Sequence, residues 1–409
     1  MRKTRALASI ASGDCTIIGT GSRTTMELAT FINGAAIRQL DMNDTYMGTG
    51  DPGHPSDMLA PCLAVAEALH ASGQAFIAAA ALAYEVNCRL LDASRLVADG
   101  WDYTLQTLPA TALAVGRLLG LDENQLTQAV NMALIAHIPT FQSRVQTLSD
   151  WKGLANAQAT RDAVFAALLA QQGITGPAPI FEGTHGMFRQ LGGEYQVDVE
   201  SFGRRGKAFL INQTSIKPYA SEWFALTAIK AAIDLAYAIG DLEAIQEIHV
   251  DTTARGFKFL GAEPEKWNPR TRDAADHSMP FIVARAMLDR TITMDSYSAA
   301  AINDARLQSL MAKVRVREAP ELTAMFPAKT PNRLLVRLKD GRKLDKQVDD
   351  LAGFAGRMMS RSDLEDKFRG NVEQNWSKDQ TLRALDLMWR LETLKDVSEL
   401  FSAFVLKSK

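Results

Sequence analysis

The 409 residues suffice for two domains, each with its own core. Charged residues make up 22% and nearly cancel at a formal net charge of −2, so there is no basic field to recruit nucleic acid or an anionic membrane, and a small-metabolite enzyme fits better. Cys15, Cys62 and Cys88 form no CxxC pair, which argues against a disulfide framework and a thiolate zinc site and for a reducing, cytoplasmic compartment.

In chain order, the start MRKTRALASIASGDC is basic but lacks the apolar segment of an export signal, and no run approaches the ~20 apolar residues of a membrane span. From about residue 26 to 170 the text is alanine-rich with helical period, which predicts a compact all-α body. Within it, residues 40–57 (LDMNDTYMGTGDPGHPSD) crowd Asp41, Asp44, Thr45 and His54 before an apolar helix that begins near Pro55. The helix start would aim free N–H groups at an anion beside His54, and a helical turn would put Asp41 and Thr45 on one face. Glycines in residues 48–53 would let backbone approach a substrate. The stretch reads equally as a polar loop whose Asp and Thr cap helices.

A second centre is WKGLANAQATR, residues 151–161, where Lys152, Asn156 and Thr160 recur on one helical face among small residues. A lysine buried there needs a partner: desolvation makes it an acid or base, whereas a carboxylate holds it charged. After residues 173–179 strand-like alternation appears in LEAIQEIHVDTTA, MAKVRVRE and NRLLVRLKDGRKLDKQV, with Asp340 and Gly341 marking a hairpin and helices interleaved. This predicts a mainly α protein with an α+β part. Lys217 precedes a helix, and His277 is read as mid-helix with Pro280 kinking it. From about Arg361 the chain turns helical again and should pack back onto the first body. His70, His137, His185 and His249 show no metal-ligand spacing, GTGDPG and GRRGK do not follow strands as nucleotide fingerprints do, and no GxSxG elbow occurs. What remains is an acid–base constellation without metal or nucleotide.

In order and spacing, the motif of residues 40–57, GWDYTLQ, LSDWKGLANAQATR, TGPAPIFEG, IKPYASEW and KWNPRTRDAADHSMPFIVARAML resemble the MmgE/PrpD family, which contains 2-methylcitrate dehydratase, cis-aconitate decarboxylase and iminodisuccinate epimerase. The resemblance runs from about Thr16 to the C-terminus. It implies a large helical domain from both chain ends (residues 1–206 and 358–409), a smaller α+β lid domain (residues 207–357), a homodimer, and a cofactor-independent site between domains. By position it assigns Asp41, Thr45, His54 and Lys152 to catalysis and Lys217, Glu222 and His277 to substrate binding. Family substrates are small polycarboxylates, so Lys152 and Lys217, with Arg144 and Arg161 as helpers, are expected to bind carboxylates and stabilise developing charge. His54 or Lys152 is expected to remove a proton, and a second group aided by Asp41 and Thr45 to protonate the leaving hydroxyl. Glu222 stands where dehydratase relatives show glutamate and decarboxylase relatives histidine, which favours a dehydratase or another substrate; the expected activity is a hydro-lyase of propionate metabolism acting on a methylcitrate-like tricarboxylate. The sequence departs from the pattern at Tyr103, where histidine is usual, and at Phe224, where some dehydratases have histidine. Family members also carry further helices before the equivalent of Thr16. The alternatives are therefore a decarboxylase or epimerase of a related polycarboxylate, or a truncated, inactive carboxylate-binding member.

Overall fold

A computed structural model describes residues 2–146, 148–202, 206 and 208–406; the GRRGK pattern, Gly206 apart, lies outside them. The first body contains α1 (Met26–Arg38), α2 (Leu59–Ala68), α3 (Gly73–Ala93), α4 (Thr104–Leu118), α5 (Glu123–Ile135) and α6 (Trp151–Gln171). Local chemistry sets their starts. Ser72 caps α3 by accepting the Ala75 N–H, and Asp122 and Gln125 form a reciprocal capping box at α5. α6 runs through the middle, packed against α1, α4 and α5. Its Ala155, Ala157, Ala159, Ala163, Ala166, Ala167 and Ala170 are all buried, and small residues there let backbones come close. A Cβ on Gly34 of α1 would meet the Ala157 Cβ at 3.3 Å.

The second body is built on a four-stranded sheet. Helix α7 (Leu226–Ile239) leads into β1 (Ile245–Thr252), then α8 (Ala254–Leu260), α9 (Met279–Asp289), β2 (Val314–Glu318), β3 (Asn332–Leu338) and β4 (Lys343–Val348). The strand order is β2-β1-β3-β4, with β1–β2 parallel and the other pairs antiparallel. Ile248 lies opposite both Val314 and Val336, and alternate residues of β3 are buried, giving one face that α7 and α9 cover. The edge strand β4 is mostly polar and exposed, which discourages further pairing. The β3–β4 turn holds Gly341 at φ +88°, the left-handed backbone that its glycine permits.

Helices α10 (Arg361–Val372) and α11 (Lys378–Trp389) return the chain to the first body. Backbone hydrogen bonds fasten the return: Gly73 N–H to Leu394 O, Val397 N–H to Ala71 O, and Gly19 N–H to Phe404 O. Cys15, Cys62 and Cys88 are free and buried. Among the described residues, no helix is long and apolar enough to cross a membrane.

The expected mid-helix position of His277 is corrected. Ser278 caps α9 by accepting the Phe281 N–H, so Pro280 falls in the first turn, where its missing N–H is not needed. His277 lies in the turn between the short helix Arg272–Ala275 and α9.

Candidate active site

Where the two bodies meet, the short strand Asp44–Met47 pairs with Pro52–Gly53 on one side and with Ser215–Ile216 on the other. Thr45 faces Ser215 across this ladder, which brings Lys217 to the turn that carries Asp41. The expected helical turn joining Asp41 and Thr45 is therefore replaced by a bend at Asp41, φ +45°, followed by a strand. The strand wins because its partner comes from far along the chain, a contact that local periodicity cannot express. The glycines of residues 48–53 also serve another purpose than substrate approach. A Cβ on Gly50 would sit 1.9 Å from Ser94 O, and one on Gly53 would sit 2.5 Å from a Leu91 methyl, so these glycines let the hairpin press against the end of α3.

His54 does precede a helical turn, Pro55–Met58, of 3-10 type. Its first N–H groups are already used, Ser56 N–H by the Asp44 carboxylate at 3.0 Å and Asp57 N–H by His54 O at 3.0 Å. The expected anion cradle at this helix start is thus filled from within.

Asp41 is the electrostatic centre. Its carboxylate lies 3.2 Å from Lys217 Nζ, 3.6 Å from Lys152 Nζ and 3.6 Å from the Arg38 guanidinium, and all four side chains are buried. Burial pushes the Asp41 carboxyl up, but Lys152, Lys217 and Arg38 outweigh it and hold the group well below the usual carboxylate range. Burial pulls Lys217 down and Asp41 opposes that; its ammonium also donates to the carbonyls of Asp41 at 3.1 Å and Ser221 at 3.0 Å.

Two imidazoles face this cluster. His54 Nδ1 is 2.6 Å from Asp44 O, and since a carbonyl only accepts, Nδ1 carries the proton and Nε2 keeps its lone pair. Burial, with Arg38 and Lys217, holds its pKa well below the ordinary value, so the ring is neutral at pH 7. His277 Nδ1 donates to Asp276 at 2.5 Å, and burial with Lys152 lowers its pKa as well. Glu222 accepts the Phe224 N–H at 2.6 Å; burial, opposed by Lys217, raises its carboxyl to about 7. One cavity of about 140 Å³ is lined by Asp41, Thr45, His54, Arg144, Lys152, Lys217, Glu222 and His277 together. At ~10–15 Å³ for each water, it has room for a small metabolite. Among the described residues, Arg38, Arg144, Lys152, Lys217 and Lys266 line it against two carboxylates, Asp41 and Glu222, so it favours a polyanion.

The family model for the MmgE/PrpD N-terminal domain matches residues 1–200, and that for the MmgE/PrpD C-terminal domain matches residues 219–392. The chain belongs to the MmgE/PrpD family. Among its relatives, 2-methylcitrate dehydratase of Cupriavidus necator is 28% identical, covering 92% of this chain and 82% of that protein. The 2-methylcitrate dehydratase of Escherichia coli (strain K12) is 27% identical, over 92% and 82%. Cis-aconitate decarboxylase of Homo sapiens is 26% identical, over 91% and 78%.

Other members of this MmgE/PrpD pocket do less obvious work. Arg144 is held by Asp102 through two hydrogen bonds, 2.7 and 3.1 Å, and stacks 4.3 Å over the Tyr103 ring. Tyr103 in turn sits edge-on to His54 at 5.8 Å and receives the Asn156 side-chain amide at 3.3 Å. Of the Lys152 helix face, only Lys152 lines the cavity; Asn156 bonds Tyr103 and Thr107, and Thr160 bonds Ala157 O. Arg161 pairs loosely with Asp162 at 3.9 Å and is not among the lining residues. Arg38 and Lys266 escaped the sequence reading. The signal for Arg38 was a lone cation closing the apolar helix α1 three residues before Asp41. Asp41, Asp276 and His277 bring one potential ligand atom each within 4.8 Å of one another. A divalent cation does not fit there, because Asp41 already faces Lys217, Lys152 and Arg38 at 3.2 to 3.6 Å and a further positive charge would meet all three.

Proposed function

We propose that the chain is a hydro-lyase that dehydrates a methylcitrate-like tricarboxylate by acid–base chemistry without metal or cofactor. The observation that carries this reading is a neutral imidazole, His54, and a carboxyl raised to about 7, Glu222, lining one cationic cavity. Environments that push the two groups apart in this way suit one to take a proton and the other to give one at the same pH.

In this reading Arg144, Lys266 and the ammonium groups of Lys152 and Lys217 bind the substrate carboxylates. His54 Nε2 removes the proton from the carbon next to a carboxylate, and Lys152 and Lys217 stabilise the charge that develops on that carboxylate. The freed electron pair forms the C=C bond as the C–O bond breaks, and protonated Glu222 delivers its proton to the departing hydroxyl, which leaves as water. The imidazolium and the Glu222 carboxylate then exchange protons with solvent. Asp41 stays ionised and fixes the two ammonium groups, and Thr45 and His277 contact the substrate from either side. Residues 207–357 act as the lid of a homodimer, an arrangement supported by the family resemblance, and the free cysteines suit a cytoplasmic setting.

A second reading, decarboxylation, draws on the relatives named cis-aconitate decarboxylase. The same cations would stabilise the carbanion left by CO₂. NMR of the purified protein in D₂O with methylcitrate, cis-aconitate and iminodisuccinate separates these readings. An alkene with loss of water supports the hydro-lyase, CO₂ loss supports decarboxylation, and deuterium exchange alone supports epimerisation. Thermal stabilisation by citrate analogues with no turnover would overturn all three in favour of a binding protein.

A further inference from the structure

The cavity joins charged and apolar side chains. Five charged members are buried, Lys217 at 1% exposed, Asp41 4%, Arg38 5%, Lys152 6% and Lys266 6%, beside the uncharged Thr45, Tyr103, Trp223 and Phe224. Its half-buried members are the apolar Met47, Pro52, Val97, Phe141, Leu148 and Phe259 together with His54, Arg144, Glu222 and His277. Globular proteins ordinarily place apolar groups inside and charges outside. The buried charges, termed the floor, follow from binding carboxylates; the half-buried apolar side chains, termed the rim, do not.

This rim is drawn from separate places in the chain. Met47 ends the Asp44–Met47 strand, Val97 lies between α3 and α4, Phe141 and Leu148 lie between α5 and α6, and Phe259 is on α8. Core packing explains only some of them. Met47 and Phe259 lean on the core of the second body, but among the described residues Val97, Phe141 and Leu148 join none of the buried apolar clusters. Behind Phe259, the stacked ring of Phe224 at 6.2 Å carries the apolar surface inward.

We infer that the substrate carries, beside its carboxylates, an apolar alkyl or aryl substituent longer than methyl, which lies along this rim while the carboxylates reach the cationic floor. The inference rests on the polycarboxylate reading above and narrows it. A methyl group leaves most of the rim in water, whereas a chain of several carbons removes both surfaces from water at once.

The test is a calorimetric and kinetic series of citrate, 2-methylcitrate, 2-propylcitrate and 2-pentylcitrate with the full chain. Expected is a Kd that falls roughly threefold to fourfold with each methylene, with kcat/KM rising in step. A flat or inverted affinity series, with methylcitrate still dehydrated, overturns the inference and leaves the hydro-lyase reading standing. A rising affinity series without turnover supports the inference and overturns the hydro-lyase reading. No binding of any member overturns both. In the double variant Phe141→Ser with Leu148→Ser, checked for folding by circular dichroism, the gain per methylene should drop below twofold. An unchanged slope in that folded variant overturns the placement of the substituent at this rim.

Discussion

Asp41 gathers three cations, and the consequences of its removal follow from charge rather than shape. Asp41→Asn would leave Lys152, Lys217 and Arg38 facing one another in a buried setting without their common counter-charge. Breaking such a group costs about 3–5 kcal/mol, so urea unfolding should show a loss of that order. In the proposed mechanism His54 and Glu222 act on rate instead. Replacing His54 with Gln should lower turnover by ~10²–10⁴-fold with little change in stability. The pH profile follows from the proposed roles. Glu222 works only while protonated, so kcat should fall as pH rises through about 7, whereas His54, with its pKa held well below 6.5, stays competent at that pH. Glu222→Gln should be slow at all pH and lack this alkaline fall. The same shift bears on stability, because the folded-state pKa of Glu222 is raised from 4.5 to about 7. The folded protein holds the proton more tightly, so this contribution is full below about 4.5 and is lost as pH rises through about 7, by at most about 3 kcal/mol. Denaturant titrations at pH 5 and 8 should show that loss in the parent chain and not in Glu222→Gln.

The element that positions this chemistry is the turn before the Asp44–Met47 strand, and cations from three other parts of the chain hold its carbonyls. Arg272 donates to Gln39 O, Lys217 to Asp41 O, and Lys367 of α10 to Met42 O at 2.9 Å. Burial, with Lys217 nearby, brings Lys367 down to about 8. Lys367→Met should release one side of the turn and lower kcat/KM roughly tenfold to a hundredfold through misplacement of Asp41, with Lys367→Arg recovering part of the loss. Gly50→Ala should act on the other side. Its Cβ would overlap the carbonyls of Ser94 and Leu91, at 1.9 and 2.7 Å, so the hairpin would lift from α3. A fall in melting temperature together with lost turnover is the expected result. The long helices and the β3–β4 hairpin were legible because their periods and caps are local. This strand was not, since half of its ladder comes from Ser215–Ile216.

Across the whole molecule the cavity exists only where the two bodies meet. Arg38, Asp41, His54, Arg144 and Lys152 come from the first, while Lys217, Glu222, Lys266 and His277 come from the second or the link into it. A polycarboxylate that bridges them should stabilise the folded chain as a unit. Tricarballylate, which has no hydroxyl to lose, should raise the melting temperature, by about 2.7 kcal/mol of added stability at a hundred times its Kd. Lys217→Gln should abolish that rise. The sequence by itself determined the mainly α body, the α+β part, the helical return and the residue types around Asp41, because these are written in local period, caps and motif order. Only the tertiary structure decided that Asp41 faces three cations, that the helix start beside His54 is already filled by Asp44, and that buried charges and half-buried apolar side chains line one cavity. Each of those depends on desolvation and on contacts between distant segments, and neither quantity is present in a linear text.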